Sequence, residues 1–129
     1  VLFEAKEEGI DKTIGMSLCV KNESMLWGRY WGAEKSIDNL HFEACYYSPI
    51  EWAIANNIKY FDPGAGGSHK KRRGFIAKPN ASLHRWYNLP MDSLIREWLP
   101  KANKLMLDQI NATNNEVPFK FEEPKLSNI

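Results

Sequence analysis

The sequence predicts one mixed α/β domain over residues 1–113, followed by a polar tail over 114–129. Three observations support this fold class. Alternating stretches typical of antiparallel strands fill the first third of the chain, a helical pattern occupies residues 40–57, and a short strand-like stretch, 58–61, follows it. A strand, a helix and another strand in this order predict a crossover with some parallel pairing. With 129 residues, of which 43% are hydrophobic, the chain can bury a modest core.

The first three predicted strands form a meander. Residues 1–6 alternate weakly, residues 14–20 alternate large apolar with small side chains, and residues 25–31 are rich in aromatics. Turn-forming stretches separate the three. Within the third strand, Gly28 and Gly32 indicate either a β-bulge or a close approach of another backbone segment.

The helical pattern of residues 40–57 contains a proline. Apolar side chains recur at spacings of three and four on both sides of Pro49, which favours one helix kinked at that residue. The alternative is a helix that begins at Ser48, because Ser48-Pro49-Ile50-Glu51 has the form of a capping box with proline at the first helical position.

The second half of the chain predicts one more strand and one more helix. Residues 80–88 alternate and are interpreted as a later strand. Asp92 or Ser93 can cap a final amphipathic helix, which Pro100 should bend or split. From residue 114 the sequence is polar with scattered prolines, which is why we predict a loosely ordered tail there.

The most unusual stretch is YFDPGAGGSHKKRRGF, residues 60–75. Gly64, Gly66 and Gly67 can adopt positive φ angles, so their amides can converge on an anion, and the cations of residues 70–73 add charge. The chain has a net charge of only +1, and without these four cations 13 lysines and arginines would face 16 acidic residues. Such local positive charge is typical of a site for a discrete anion. The alternative is a mobile surface hairpin with a solvated charge run.

Several classes of site are excluded by their missing patterns. The chain contains no Walker or GxGxxG phosphate loop, no GxSxG elbow and no metal-ligand spacing of histidines and cysteines. Cys19 and Cys45 form no disulfide framework and are typical of buried thiols in a reducing compartment, so we expect a cytoplasmic protein. No apolar run approaches 18 residues, so we predict no membrane span in these 129 residues.

A few titratable and aromatic side chains are candidates for chemistry. Glu43 and Tyr47 share a helix face, and a carboxylate beside tyrosines could act as a general base, although a surface glutamate is the alternative. His69 suits proton transfer or anion binding, or is structural, and His84 is interpreted as structural. Six aromatic residues could line an apolar pocket or simply pack in the core. They are Trp27, Tyr30, Trp31, Tyr46, Tyr47 and Trp52.

Three stretches, LHFEACYYSPIEWAI, YFDPGAGGSHKKRRGF and SLHRW, together resemble the FemAB-like branch of the GNAT acyltransferase superfamily. Within that branch they resemble the bacterial family described as peptidoglycan biosynthesis/recognition proteins. The match covers about residues 25–86. It implies a GNAT-like α/β fold with residues 40–57 as the central helix. It also implies that this chain is the C-terminal module of two, with the N-terminal partner removed.

The resemblance also implies roles for the two motifs. Members of the superfamily transfer an acyl or aminoacyl group to an amine, which needs a proton acceptor and donors for the developing oxyanion. Glu43 or His69 is then the predicted proton acceptor, and Lys70 is the third predicted catalytic residue. The remaining motif and loop residues form a predicted substrate- and anion-binding set. They are His41, Tyr47, Gly64, Gly66, Gly67, Ser68, Arg72, Arg73, Gly74 and Phe75.

Two departures from the family pattern bear on the donor. Relatives have glutamate where this chain has Ser68 and an apolar residue where it has Lys71, so Lys71 is interpreted as incidental. The stretch GRYWGAEKSIDN lacks the [RQ]xxGx[GA] loop of acetyl-CoA-using members. No permanently bound cofactor is expected. Acyl-CoA and aminoacyl-tRNA remain as possible co-substrates, and the resemblance weakens acetyl-CoA itself.

The acceptor would be a peptidoglycan precursor or a small metabolite. The alternative function is a non-catalytic GNAT-fold module that binds a phosphate- or carboxylate-bearing ligand. A third interpretation has the basic loop docking a tRNA acceptor stem. We also expect a homodimer, or packing against the missing N-terminal module, because removing a partner module would expose apolar surface.

Overall fold

The structure is a computed structural model that describes residues 1–118. The chain divides into two compact units, Val1–Gly66 and a second unit that begins at Gly67. Of the predicted tail, residues 119–129 lie outside the described residues. The helices and strands are β1 (Leu2–Lys6), β2 (Thr13–Lys21), β3 (Met25–Ala33), α1 (Leu40–Phe42), a π-helical turn (Glu43–Tyr47), α2 (Ser48–Ala55), β4 (Tyr60–Asp62), a 3₁₀ turn (Lys71–Arg73) and α3 (Leu89–Asn115).

The first unit contains a four-stranded mixed sheet in the order β1-β2-β3-β4. β1, β2 and β3 pair antiparallel, as the meander prediction requires. β4 pairs parallel to β3, with Met25–Trp27 opposite Tyr60–Asp62. The helical segment between β3 and β4 is therefore a crossover, so the predicted strand–helix–strand order and the mixed α/β class are both confirmed.

The small residues of β2 face the helical segment. Gly15, Ser17 and Cys19 are buried, whereas the larger neighbours Met16 and Val20 are exposed. A Cβ on Gly15 would lie 2.9 Å from Cη2 of Trp31 and 3.2 Å from Cδ2 of Leu40 in the helical segment, closer than side chains pack. Small side chains on this face thus allow the helical segment to approach the sheet closely.

The core of the first unit is small. Leu26, Cys19 and Ala53 are its buried members, and Phe3 packs edge-on against Trp52 with ring centroids 6.2 Å apart at the side of this cluster. One polar group is buried with them, the hydroxyl of Ser17, which donates a 2.5 Å hydrogen bond to the backbone oxygen of Ala44. This bond ties β2 to the helical segment.

Replacing Ser17 with alanine should lower the free energy of unfolding by about 1–2 kcal/mol, because the carbonyl of Ala44 would lose its buried donor. Urea denaturation measures the change. The control is Ser36→Ala, which removes an exposed hydroxyl and should change stability by less than about 0.5 kcal/mol. Equal effects of the two substitutions would contradict the assignment.

The helical segment is continuous but contains one wide turn. The backbone stays helical from Leu40 to Ala55, and the N–H of Ser48 donates to the oxygen of Glu43, five residues back. The wide turn comes directly before Pro49, which has no N–H and whose ring presses against the carbonyl four residues earlier. The structure therefore agrees with one helix that continues through Pro49, and Ser48 does not cap a new helix.

α3 begins earlier than predicted. It starts at Leu89, with the side chain of Asn88 accepting a 3.1 Å hydrogen bond from the N–H of Met91. The predicted caps Asp92 and Ser93 are therefore wrong. Asp92 lies in the first turn and instead pairs with Arg96 at 2.7 Å. Asparagine followed by a proline in the first turn is an N-terminal signal in its own right.

Proline does not split α3. Pro100 lies inside the helix, and helical structure continues on both sides of it to Asn115. One proline removes one hydrogen bond from the ladder, and the remaining turns of a 27-residue helix hold it together.

The strand predicted over residues 80–88 is wrong. This segment contains no strand, and the sheet of the described residues ends with β4. Its side chains instead contact each other, with the His84 ring stacked on Trp86 and the guanidinium of Arg85 over the ring of Tyr87 at 5.0 Å. Alternation alone does not make a strand when no neighbouring strand supplies hydrogen bonds.

Candidate functional site

A β-bulge in the middle of β3 changes the direction in which the strand presents its side chains. Leu18 pairs with Tyr30 and Cys19 pairs with Gly28, so Arg29 has no partner residue on β2. An extra residue of this kind bends the strand and redirects its side chains. The prediction of a bulge or a close approach at Gly28 is confirmed.

β3 and β4 stop pairing just before this bulge, at Trp27 and Asp62. The carboxylate of Asp62 accepts a 2.8 Å hydrogen bond from the N–H of Gly64 and so turns the chain. Pro63 has no N–H with which to continue the ladder, and Gly64 has a φ of 88°, which favours glycine. A Cβ on Gly28 would lie 3.5 Å from the backbone of Pro63. Gly28 thus lets the turn pass close to β3.

A cavity of about 230 Å³ lies beside the bulge of β3 and the turn after β4. Side chains from β2, β3, the helical segment and the turn after β4 surround it, all within the first unit. Its lining residues are Ser17, Leu18, Cys19, Gly28, Arg29, Tyr30, Trp31, His41, Cys45, Tyr46, Pro63, Gly64 and Ala65.

The cavity gathers part of the predicted site. His41 and Gly64 of the predicted binding set line it, together with three aromatic residues for which a pocket was one interpretation: Tyr30, Trp31 and Tyr46. Arg29 also lines it and is the only cation among the thirteen lining residues, which include no carboxylate. The cavity can therefore accept a negatively charged or an uncharged polar group.

Aromatic rings hold His41 in place at the cavity wall. Its imidazole meets Trp31 at 5.6 Å and Tyr46 at 5.5 Å between ring centroids, both in edge-to-face arrangements. Such pairs favour a defined ring orientation. His41 is thus an imidazole with a defined orientation among the residues that line the cavity.

Glu43 and Tyr47 lie outside the set of lining residues. Both are exposed, and the Glu43 carboxylate accepts a 2.8 Å hydrogen bond from the hydroxyl of Ser48. This bond spans five residues, which is the spacing of the wide π-helical turn. The catalytic role of Glu43 stays a prediction.

The second unit begins with the rest of the glycine-basic loop. The segment from Gly67 to Phe75 folds back on itself, because the N–H groups of Arg73 and Phe75 donate to the oxygen of Lys70 at 2.9 and 3.2 Å. The guanidinium of Arg73 donates to the oxygen of His69 at 3.0 Å. Gly74, with φ 85°, ends the 3₁₀ turn. The loop is therefore a compact basic turn.

The predicted residues of this turn differ in their surroundings. Burial, and then the charges of Lys70 and Arg73, lower the pKa of His69, which favours a neutral imidazole near pH 7. Ser68 and Arg72 are exposed. Lys71 forms an ion pair with Glu116. That contact agrees with the interpretation of Lys71 as incidental to the motif.

The family model described as FemAB-like, peptidoglycan biosynthesis/recognition, matches residues 1–121. The chain belongs to the FemAB-like family. The resemblance stated from the two motifs is thereby confirmed, and it extends over nearly the whole chain. Comparisons with curated proteins and with solved structures give no match.

Neither a metal centre nor a membrane helix is found in the described part of the FemAB-like chain. Across residues 1–118, no three or more His, Cys, Asp or Glu side chains group where a metal ion could bind. Within the same range, no helix has the length and apolarity that crossing a bilayer requires.

The cavity of the FemAB-like chain contains a thiol of low reactivity. Cys19 and Cys45 are both free, Cys19 is buried and Cys45 is half-buried. Burial, and then the neighbouring Cys19, raises the pKa of Cys45 to about 11, and burial also raises the pKa of Cys19. Cys45 therefore stays protonated at neutral pH and acts as a wall of the cavity rather than as a nucleophile.

We expect iodoacetamide to alkylate Cys45 at pH 8 at roughly a tenth of the rate of a free peptide thiol, or more slowly, with the rate rising up to about pH 11 because only the thiolate reacts. Peptide mass spectrometry measures this rate, and the control is the same protein in urea. Fast alkylation of native Cys45 at pH 8 would contradict the burial.

The raised pKa of Cys45 also makes the stability of the fold depend on pH. A raised folded pKa contributes stability that is present below the ordinary thiol pKa and lost as the pH rises through the folded value. The free energy of unfolding should therefore fall between about pH 9 and 11.

Sequence reasoning missed three of the polar lining groups, Ser17, Arg29 and Cys45. The glycine at position 28 was the available signal for Arg29, since a strand glycine indicates a bulge and a bulge redirects its neighbour. No comparable signal marked Ser17 or Cys45.

Proposed function

We propose that this FemAB-like protein is an N-acyltransferase with a GNAT-like fold, which transfers an acyl or aminoacyl group to an amine of a peptidoglycan precursor or a related small molecule. The family description supports the cell-wall context. An antiparallel meander, a helical crossover and a fourth strand parallel to the third agree with the expected fold.

The observation that carries the proposal is the cavity beside the bulge of β3 and the turn that follows β4. Its volume of about 230 Å³ suits an acyl or aminoacyl group rather than a whole donor molecule. His41 supplies a base, and Arg29 supplies a cation in surroundings that contain no carboxylate. These are the two kinds of group that acyl transfer to an amine requires.

In the proposed reaction the amine nitrogen attacks the carbonyl carbon of the donor, and the C=O electron pair moves onto oxygen. His41 accepts the proton that the amine loses, and Arg29 stabilises the oxyanion. Collapse of the intermediate expels the oxygen or sulfur leaving group of the donor, which takes up a proton. The roles predicted for His69, Lys70 and Arg73 in the second unit stay predictions.

The test is turnover by the full chain, with acyl-CoA or aminoacyl-tRNA as donors and nucleotide-linked muropeptides with a free amine as acceptors. We expect His41→Gln to lower kcat by about 100-fold or more, because general bases contribute on that scale. The control is His84→Gln, which changes an exposed histidine of the second unit and should leave kcat unaltered. Equal turnover by wild type and His41→Gln would remove His41 from the mechanism.

A second candidate is a binding module without catalysis. The observation that favours it is the combination of one lining arginine with no lining carboxylate, which is sufficient for recognising a phosphate or carboxylate. Calorimetry with nucleotide-linked sugars distinguishes the two functions. Binding that Arg29→Gln abolishes, with no turnover of any donor and acceptor pair, would favour recognition over transfer.

A further inference from the structure

α3 presents an exposed line of apolar residues at intervals of seven. Met91, Trp98 and Leu105 are 47%, 60% and 70% exposed, and Ala112 continues the line. All of α3 lies within the described residues, and none of its residues is buried. An interval of seven keeps side chains on one helix face, as in a coiled-coil seam.

A second line lies next to the first and completes a two-column seam. Ile95, Ala102 and Gln109 each come four residues after a member of the first line, which places them on the adjacent side of the same face. Pro100 lies on the opposite face of the helix, about 180° from the middle of this seam. The proline ring therefore does not obstruct a partner.

We propose that the occupant of this seam is α3 of a second copy of the chain, packed antiparallel. An antiparallel pair centred between residues 103 and 104 places a large side chain opposite a smaller one in the core layers. The facing pairs, one residue from each copy, are Ile95 with Ala112, Trp98 with Gln109, and Ala102 with Leu105.

The charges beside the seam fit the same arrangement. Lys101 and Asp108 lie on one flank of the seam, and neither has an ion-pair partner among the described residues. In the antiparallel pair Lys101 of each copy faces Asp108 of the other, which gives two attractive pairs. A parallel pair would bring Lys101 beside Met106 and the two Trp98 side chains together. Charge and size therefore both select the antiparallel dimer.

Sedimentation equilibrium of the full chain between about 1 and 200 µM tests the proposal. We expect a concentration-dependent dimer. Lys101→Glu and Asp108→Lys should each raise the dimer Kd about tenfold, because each turns two attractive pairs into repulsive ones. The double variant Lys101→Glu/Asp108→Lys restores opposite charges and should return Kd to within about twofold of wild type. The control is Lys104→Glu, the same charge change on the face away from the seam, which should leave Kd unchanged.

A monomer at every concentration would overturn the proposal and point to a different protein as the occupant of the seam. It would also be overturned if Lys104→Glu weakened the dimer as much as Lys101→Glu, or if the double variant failed to recover. Circular dichroism checks that each variant keeps its helix.

Discussion

Replacing Leu26 with alanine should lower the free energy of unfolding by about 3–5 kcal/mol. Leu26 has 0% of its surface exposed and lies at the centre of the core cluster, beside Cys19 and Ala53. It also pairs with Phe61 across the short parallel ladder. Truncation there removes buried methyl groups and leaves a void that a close-packed core fills only in part. In a core with so few fully buried side chains, this loss is a large share of the total stability.

Urea denaturation monitored by circular dichroism measures the effect of the Leu26 substitution. The control is Leu83→Ala, since Leu83 is fully exposed and its truncation should change stability by less than about 0.5 kcal/mol. A loss below about 1 kcal/mol for Leu26→Ala would show that this side chain is not enclosed as described.

Replacing Gly67 with alanine should displace the His69 imidazole from its place in the basic turn. Gly67 has a φ of 88°, where an alanine is strained by about 1–2 kcal/mol, and its added Cβ would lie 2.6 Å from Cε1 of His69. Because a ring can swing away more easily than backbone can shift, we expect the imidazole to move. The lowered pKa of His69 should then rise towards the ordinary histidine value, because the ring becomes more exposed to water and moves away from the charges of Lys70 and Arg73.

Gly66→Ala is the matched control for the Gly67 substitution. Gly66 has a φ of 73°, so alanine suffers similar backbone strain there, but no atom lies within 4 Å of its added Cβ. Titration of the His69 ring protons by NMR compares the two variants with wild type. An unchanged His69 titration in Gly67→Ala, or the same change in both variants, would contradict the contact.

The sheet could be predicted from sequence because its signals are local. Period-two alternation identified β1 to β3, and the helix that follows β3 required a crossover to β4. The strand over residues 80–88 failed for the opposite reason, since a strand exists only when another strand pairs with it. Asn88 is a residue type that caps helices and could have predicted the start of α3. Asp92 and Ser93 are also capping residue types, and they were chosen instead.

The lining residues of the cavity include some that motifs mark and others that depend on strand register. His41 and Gly64 were named from their motifs, and both line the cavity. Arg29 lines the cavity because it bulges out of the pairing between β3 and β2. That bulge depends on the register of two strands, and neither strand belongs to a motif that predicted the site. Regular helical spacing predicts that Glu43 and Tyr47 share a face, but these two residues are the first and last of a π-helical turn.

The wide turn before Pro49 has a consequence for everything upstream of it. A π-helical turn holds one more residue than an α-helical turn, so it rotates the preceding part of the helix by about 100° relative to the following part. Pro49 and Ala53 keep their place in the core after the turn, while His41 before it comes to the cavity wall. In a uniform helix these two faces would be out of phase. Pro49, which cannot donate a backbone hydrogen bond, thus determines the direction in which His41 points from the helix, about 12 Å away along the helix axis.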